Sequence, residues 1–263
     1  MLSRRGFLGG AAALVLSGGP AAFARTDYWG EAIADAPADF IFGYGSLINT
    51  PSREATGGGR VDAVPARLGP KFNLVRSWVA RSSSGFTALG LRPRQPDEEV
   101  STINGVVFPV DAESLPRFDR RESGYDRVVV PRDMIEPLSW RGLPAMGTIW
   151  TYVPRGSAAA ALLPFPTAEF PIVQSYVDLV MEGALEYGPA FARELIATTA
   201  DWGRFWLNDR VTARRPWIAT PKAGDIDRLL GRTPPAMQAF ADRLTSEAYV
   251  ARHLRALQGE TAR

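Results

Sequence analysis

The chain of 263 residues contains no cysteine, a single histidine and only two lysines. Without cysteine there is no thiolate nucleophile, no thiolate metal site, no iron–sulfur cluster and no disulfide. His253 stands alone near the C-terminus, so multi-histidine metal sites are excluded. A Ser-His-Asp triad would depend on that one ring. Lys71 and Lys222 are the only lysines, so 28 of the 30 basic residues are arginine. They are scattered, no run forms a basic arm beside an aromatic platform, and nucleic acid is not an expected partner. What remains is the chemistry of carboxylates, tyrosine, serine, arginine and the backbone. The composition is 46% hydrophobic, ample for a buried core.

The charge balance depends on the N-terminus. Residues 3 to 8 read Ser-Arg-Arg-Gly-Phe-Leu, and an uncharged Gly/Ala-rich stretch with Leu14, Val15 and Leu16 leads to Ala22-Phe23-Ala24. A basic start, a mildly apolar middle and an A-x-A end are the parts of an export signal. The paired arginines resemble the twin-arginine type, which implies the twin-arginine export machinery as a partner and a periplasmic or secreted protein. Gly9, Gly10, Gly18, Gly19 and Pro20 make the stretch a poor spanning helix, so it is read as a cleaved signal rather than an anchor. No cysteine follows the small-residue site, which excludes a lipid anchor there. Cleavage is expected after Ala24, and no membrane span is expected in the mature chain. Arg4 and Arg5 then leave with the signal, and 28 basic residues face 28 acidic ones.

After an irregular lead-in over 25–38, an apolar strand from Asp39 runs into a glycine turn at Gly43-Tyr44-Gly45. Strands are predicted within 61–79, 87–91, 103–110, 125–130 and 148–153, from β-branched and aromatic runs bounded by Gly and Pro. A short helix is predicted over 112–121. Beyond Pro164 the pattern turns helical: Tyr176, Val177, Val180, Met181, Ala184 and Leu185 predict one or two helices over 176–198, and a further helix over 235–257. Strands followed by helices argue an α+β fold rather than βαβ alternation.

Two segments carry candidate chemistry. Phe42-Gly43-Tyr44-Gly45-Ser46-Leu47 closes a strand with paired glycines, which let backbone N–H groups approach an anion. It lacks the third glycine of a dinucleotide fingerprint, the Gly-Lys-Ser/Thr of a P-loop, and the G-x-S-x-G of a nucleophile elbow. Phe118-Asp-Arg-Arg-Glu122-Ser-Gly-Tyr125-Asp-Arg127 sets an acid among arginines just before a strand. Each alone reads as an ordinary turn or a solvated ion pair.

Together, Phe-Gly-Tyr-Gly-Ser-Leu followed by Asp-x-Arg-Glu-x-x-Tyr resembles the gamma-glutamylcyclotransferase superfamily, in form closest to its bacterial and ChaC-type branches. Thr87-Ala-Leu-Gly-Leu, Asn104-Gly-Val-Val-Phe and Thr148-Ile-Trp-Thr-Tyr152 resemble that family's middle and late strands. The resemblance spans 39–155 and implies a small mixed β-barrel with flanking helices, here followed by a mostly helical extension over 156–263 packed on the barrel. It implies conversion of a small gamma-glutamyl peptide or amine to 5-oxoproline and a free amine, without metal or cofactor. By motif, Glu122 is the implied general acid/base. Tyr44, Gly45, Ser46 and Leu47 are implied to line the pocket and bind the glutamyl group, and Tyr125 and Tyr152 to contact the substrate.

The residues present suit such a reaction. The substrate's own α-amine is the nucleophile, so proximity supplies much of the rate. One carboxylate of raised pKa can take the ammonium proton and deliver it to the leaving amine. The alternative is an exported, non-catalytic binding module using the same pocket for a carboxylate or amino acid. A hydrolase pairing Ser46 with His253 is weaker, since nothing in the sequence brings those residues together. In the extension, Trp202, Phe205, Trp206 and Trp217 are expected to form an aromatic core joining the helical half to the strands.

Overall fold

The computed structural model describes residues 28–31, 36–156, 164–213 and 221–257. The expected export signal and Trp217 lie outside the described residues. The strand-rich half comprises β1 (Asp39–Gly43), α1 (Thr50–Gly57), β2 (Val64–Leu68), β3 (Leu74–Ser82), β4 (Phe86–Pro93), β5 (Ile103–Val110), α2 (Leu115–Arg121), β6 (Tyr125–Val129), β7 (Ile135–Pro137) and β8 (Thr148–Pro154). The second half comprises β9 (Ile172–Val173), α3 (Gln174–Glu186), α4 (Pro189–Ala197), β10 (Thr199–Ala200), β11 (Trp206–Asn208), α5 (Ala223–Leu230), α6 (Ala236–Ala241), β12 (Leu244–Thr245) and α7 (Ser246–Leu257). The α+β class stands. No described helix is long and apolar enough to cross a membrane.

The expected small barrel does not close among the described residues. A six-stranded sheet runs β6-β8-β1-β5-β2-β7, with β1 and β8 parallel and the remaining pairs antiparallel. Its edge strands β6 and β7 do not pair with each other, so the sheet is open. β7 has three residues and ends on Pro137, which cannot donate to a further ladder. At the other edge, β6 carries Asp126 and Arg127, charges that discourage extension. β3 and β4 leave this sheet as a separate ribbon, with a bulge between Trp78 and Ala80.

β1 lies central and buried on both faces. Alternation along it sorts the core into two layers. Ile41 faces a cluster with Val106, Phe108 and Phe118 that continues into α3 and α4. Phe40 and Phe42 face the other way, with Leu68, Ile103, Val107 and Trp29. Close approach fixes Gly105 on β5, where a Cβ would lie 2.5 Å from the Gly43 carbonyl oxygen and 2.6 Å from the Phe42 ring.

The helical half is built into the strand half. Thr199 and Ala200 of β10 pair in parallel with Arg76 and Ser77, completing a three-stranded sheet with β3 and β4. Trp202 stacks on Trp206 at 5.0 Å and meets Trp78 edge-on at 4.9 Å, the joining aromatic core expected of this region. In α3, Asp178 is fully buried and bound by Arg210 through Nε and Nη2, both at 2.7 Å, while Arg210 also binds Asp227 on α5. This bidentate pairing fixes the rotation of α3 about its axis. The region 176–198 forms two helices because Gly188, at φ 98°, and Pro189 interrupt it. Over 235–257 the single expected helix is likewise split. α6 stops at Ala241, and Leu244 and Thr245 pair with β11 before α7 begins.

Candidate active site

The turn after β1 is folded tightly on itself. A Cβ on Gly43 would lie 2.7 Å from Leu47 Cβ, so only glycine lets the chain return this closely. The Ile48 N–H donates to the Gly45 carbonyl at 3.0 Å, and Asn49 then caps α1 by accepting from the Ser52 N–H at 3.0 Å.

Two buried arginines hold the turn's carbonyls from behind. Arg53 donates to Leu47 O and Ile48 O, each at 3.0 Å. Arg76, with no exposed surface, donates to Tyr44 O at 3.3 Å, Asn104 O at 2.6 Å and Asn104 Oδ1 at 2.9 Å. It also reaches Thr198 Oγ1, Thr199 Oγ1 and Leu195 O at the end of α4. All these acceptors are neutral, and burial lowers Arg76 to about 9. With the Tyr44 carbonyl turned inward to Arg76, the trans peptide aims the Gly45 N–H the opposite way.

Gly45 lines a cavity of about 390 Å³. All seven residues expected from the sequence meet there: Tyr44, Gly45, Ser46 and Leu47 from the turn, Glu122 from the end of α2, Tyr125 from β6 and Tyr152 from β8. His253 is not among its lining residues. A larger open groove of about 920 Å³ lies between 57–62 and 109–117, but its ionisable residues are all at least partly exposed. The smaller cavity is the candidate because its acid, Glu122, has a side chain only 15% exposed and a pKa raised by burial.

Glu122 caps α2 with its N–H on Phe118 O at 2.9 Å, and its side chain is 15% exposed. Burial raises its pKa above the ordinary glutamate value, while Arg121 beside it partly opposes the shift. An acid in this state can hold a proton nearer neutrality and exchange it with a bound amine.

The tyrosines form the walls, and the hydroxyls of Tyr44, Tyr125 and Tyr152 are each committed to a protein acceptor. Tyr44 OH donates to Tyr152 O at 2.7 Å, Tyr152 OH donates to Asp119 Oδ1 at 2.8 Å, and Tyr125 OH donates to Leu89 O at 3.2 Å. Burial keeps Tyr44 and Tyr125 well above the usual phenol range, so both stay neutral donors. Tyr44→Phe is expected to destabilise the fold by about 1–3 kcal/mol by removing a buried donor, measured by urea unfolding. An unchanged midpoint would mean that the Tyr44–Tyr152 bond contributes nothing.

Sequence reasoning missed Tyr176, Leu179, Arg81 and Arg121, which also line the cavity. Tyr176 projects from α3. A Cβ on Gly45 would lie 3.4 Å from its hydroxyl, so the phenol seats directly against the glycine turn. Burial pushes it up to about 12. Arg81 donates to Phe170 O at 3.1 Å and Phe165 O at 2.7 Å, tying that segment to the β3–β4 ribbon. Among the described residues, no group of three His, Asp or Glu side chains could hold a metal ion.

No protein-family model matches the sequence, and no curated protein matches it. Similar solved structures include a gamma-glutamyl cyclotransferase at 17% identity and TM-score 0.46, covering 72% of this chain and 98% of that one. An uncharacterised human protein is 18% identical at TM-score 0.46, with 68% and 94% covered. A yeast gamma-glutamyl cyclotransferase specific to glutathione is 14% identical at TM-score 0.29, with 84% and 97% covered.

Proposed function

We propose that this protein is a gamma-glutamylcyclotransferase-type enzyme, releasing 5-oxoproline and a free amine from a small gamma-glutamyl peptide or amine. The observation that carries this reading is the convergence of Glu122 and the Tyr44–Leu47 turn on one cavity. Glu122 accepts a proton from the substrate's α-ammonium. The freed amine attacks the γ-carbonyl, forming the ring C–N bond. The oxyanion that develops is met by N–H groups of the glycine turn. As the scissile C–N bond breaks, Glu122 gives that proton to the departing nitrogen, then takes the second proton from the ring nitrogen and passes it to the released amine, which leaves as its ammonium. Atoms and charge balance without water. Neither step asks anything of a histidine or a cysteine.

A panel of gamma-glutamyl dipeptides and amines, assayed for amine release, tests the reading. Turnover of at least one member is expected. Tight binding without product, unaffected by Glu122→Gln, would favour a binding module for a carboxylate or amino acid instead.

The reading includes export by the twin-arginine route to the periplasm or beyond, on the basis of the Arg4-Arg5 segment. Intact-mass measurement of the exported protein is expected to place its first residue at Arg25. A chain still beginning at Met1 would contradict cleavage.

A further inference from the structure

Arg121 is the last residue of α2, and Glu122 follows as its cap. Its guanidinium sits between three segments that build the cavity. Nη1 donates to Ser52 O at 2.9 Å and to Thr56 Oγ1, and Nη2 donates to Ser46 Oγ at 3.0 Å and Ser52 Oγ at 2.9 Å. Nε faces Glu122 Oε1 at 3.3 Å. A guanidinium has five N–H groups; those of Nη1 and Nη2 are spent on neutral oxygens of α1 and the glycine turn, while Nε makes only an ion-pair contact with the acid. The plane of the group is therefore set by α1 and Ser46, independently of Glu122. A simple ion pair between neighbours would be held by the acid, and near the surface would contribute little.

We propose that Arg121 is a positioning residue, acting on the reaction through Glu122 and Ser46, which it holds in one frame. The role presupposes the cyclisation reading and adds to it a group that the motif resemblance does not assign. Holding Ser46 Oγ as an acceptor turns the Ser46 proton away from Arg121, towards Tyr176 or the cavity. Meeting the carboxylate only through the Nε contact at Oε1 leaves Oε2 for the substrate amine. The remaining groups around Glu122 are phenols, Tyr44 on the turn, Tyr125 on β6, Tyr152 on β8 and Tyr176 on α3, with Arg81 of β3 also lining the cavity. Arg121 is the cation in contact with the acid, and it opposes the effect of burial there.

The test reads Glu122 itself, by carbon-13 NMR titration of protein labelled at the glutamate side-chain carboxyl. Loss of one resonance in Glu122→Gln identifies the signal. Arg121→Gln is expected to raise the midpoint by about one pH unit, and Arg121→Lys to leave it near the wild-type value. With gamma-glutamyl-alanine as the probe, the acid limb of kcat/KM should move with the midpoint in Arg121→Gln. In Arg121→Lys the limb should stay while kcat falls about tenfold or more, since an ammonium cannot keep the fork on Ser46 and Ser52. An unmoved midpoint in folded Arg121→Gln overturns the proposal. Should that variant not fold, Ser52→Ala combined with Thr56→Val frees the guanidinium to close on the acid. The midpoint should then fall, and an unchanged midpoint again overturns the role. A wild type whose midpoint responds but which releases no 5-oxoproline would defeat the cyclisation reading alone. Turnover with an unmoved midpoint would remove Arg121 alone.

Discussion

Glu122→Gln is expected to lower kcat by about 10²–10⁴-fold, with KM within a few-fold of wild type. Glutamine keeps the size and the hydrogen-bonding reach of the side chain but cannot accept the ammonium proton. The surroundings should stay in place, because Arg121 is anchored mainly to Ser46, Ser52 and Thr56 and not to the acid. Thermal unfolding and steady-state kinetics on the same preparation check both halves of the expectation. The wild-type pH profile supplies a second check. Glu122 must be ionised to act as base, so activity rises as pH increases through its pKa. Burial raises that pKa, so the acid limb should lie above the ordinary glutamate value of about 4.3. A limb at or below that value would mean that the carboxylate is solvated and that the site is not as described.

Gly183→Ala is expected to destabilise the protein by about 1–3 kcal/mol and to cut activity by up to about 10²-fold. In a free helix the same change stabilises by about 1 kcal/mol, so the sign decides between two accounts. Here a Cβ would lie 2.4 Å from Asn49 N, 2.5 Å from Asn49 Cα and 2.8 Å from Ile48 C. These are backbone atoms and cannot rotate aside. α3 would have to lift away from the turn, carrying Tyr176 and Leu179 out of the cavity wall. Gly59→Ala, where nothing lies within 4 Å, is the control and should be near neutral. Stabilisation by Gly183→Ala would mean that α3 does not seat on the glycine turn.

Much of this arrangement is legible in the sequence where the signal is local. Ile103–Val110 reads as a strand from its composition, and forms one over that span. The glycine turn and the acid motif name their own residues, and those residues share a cavity. What escapes notice has physical reasons. Tyr176 opens an apolar helical stripe and looks like any core residue until α3 is laid against the turn. Arg53, Arg76 and Arg121 are three among many arginines, and only burial and hydrogen bonding distinguish them. α1 is short and polar, although Asn49 and Pro51 carry the cap signals that announce it. The open sheet in place of a barrel depends on which distant strand edges meet, and no local pattern encodes that.

The central claim is that the substrate's own α-amine closes the ring in the Glu122 cavity. The most direct measurement gives the protein a matched pair of substrates, gamma-glutamyl-alanine with its α-amine free and the same dipeptide N-acetylated, with products identified by mass spectrometry. The expected result is 5-oxoproline and alanine from the free dipeptide and nothing from the acetylated one. Glutamate in place of 5-oxoproline, cleavage of the acetylated dipeptide, or no product from either would contradict it.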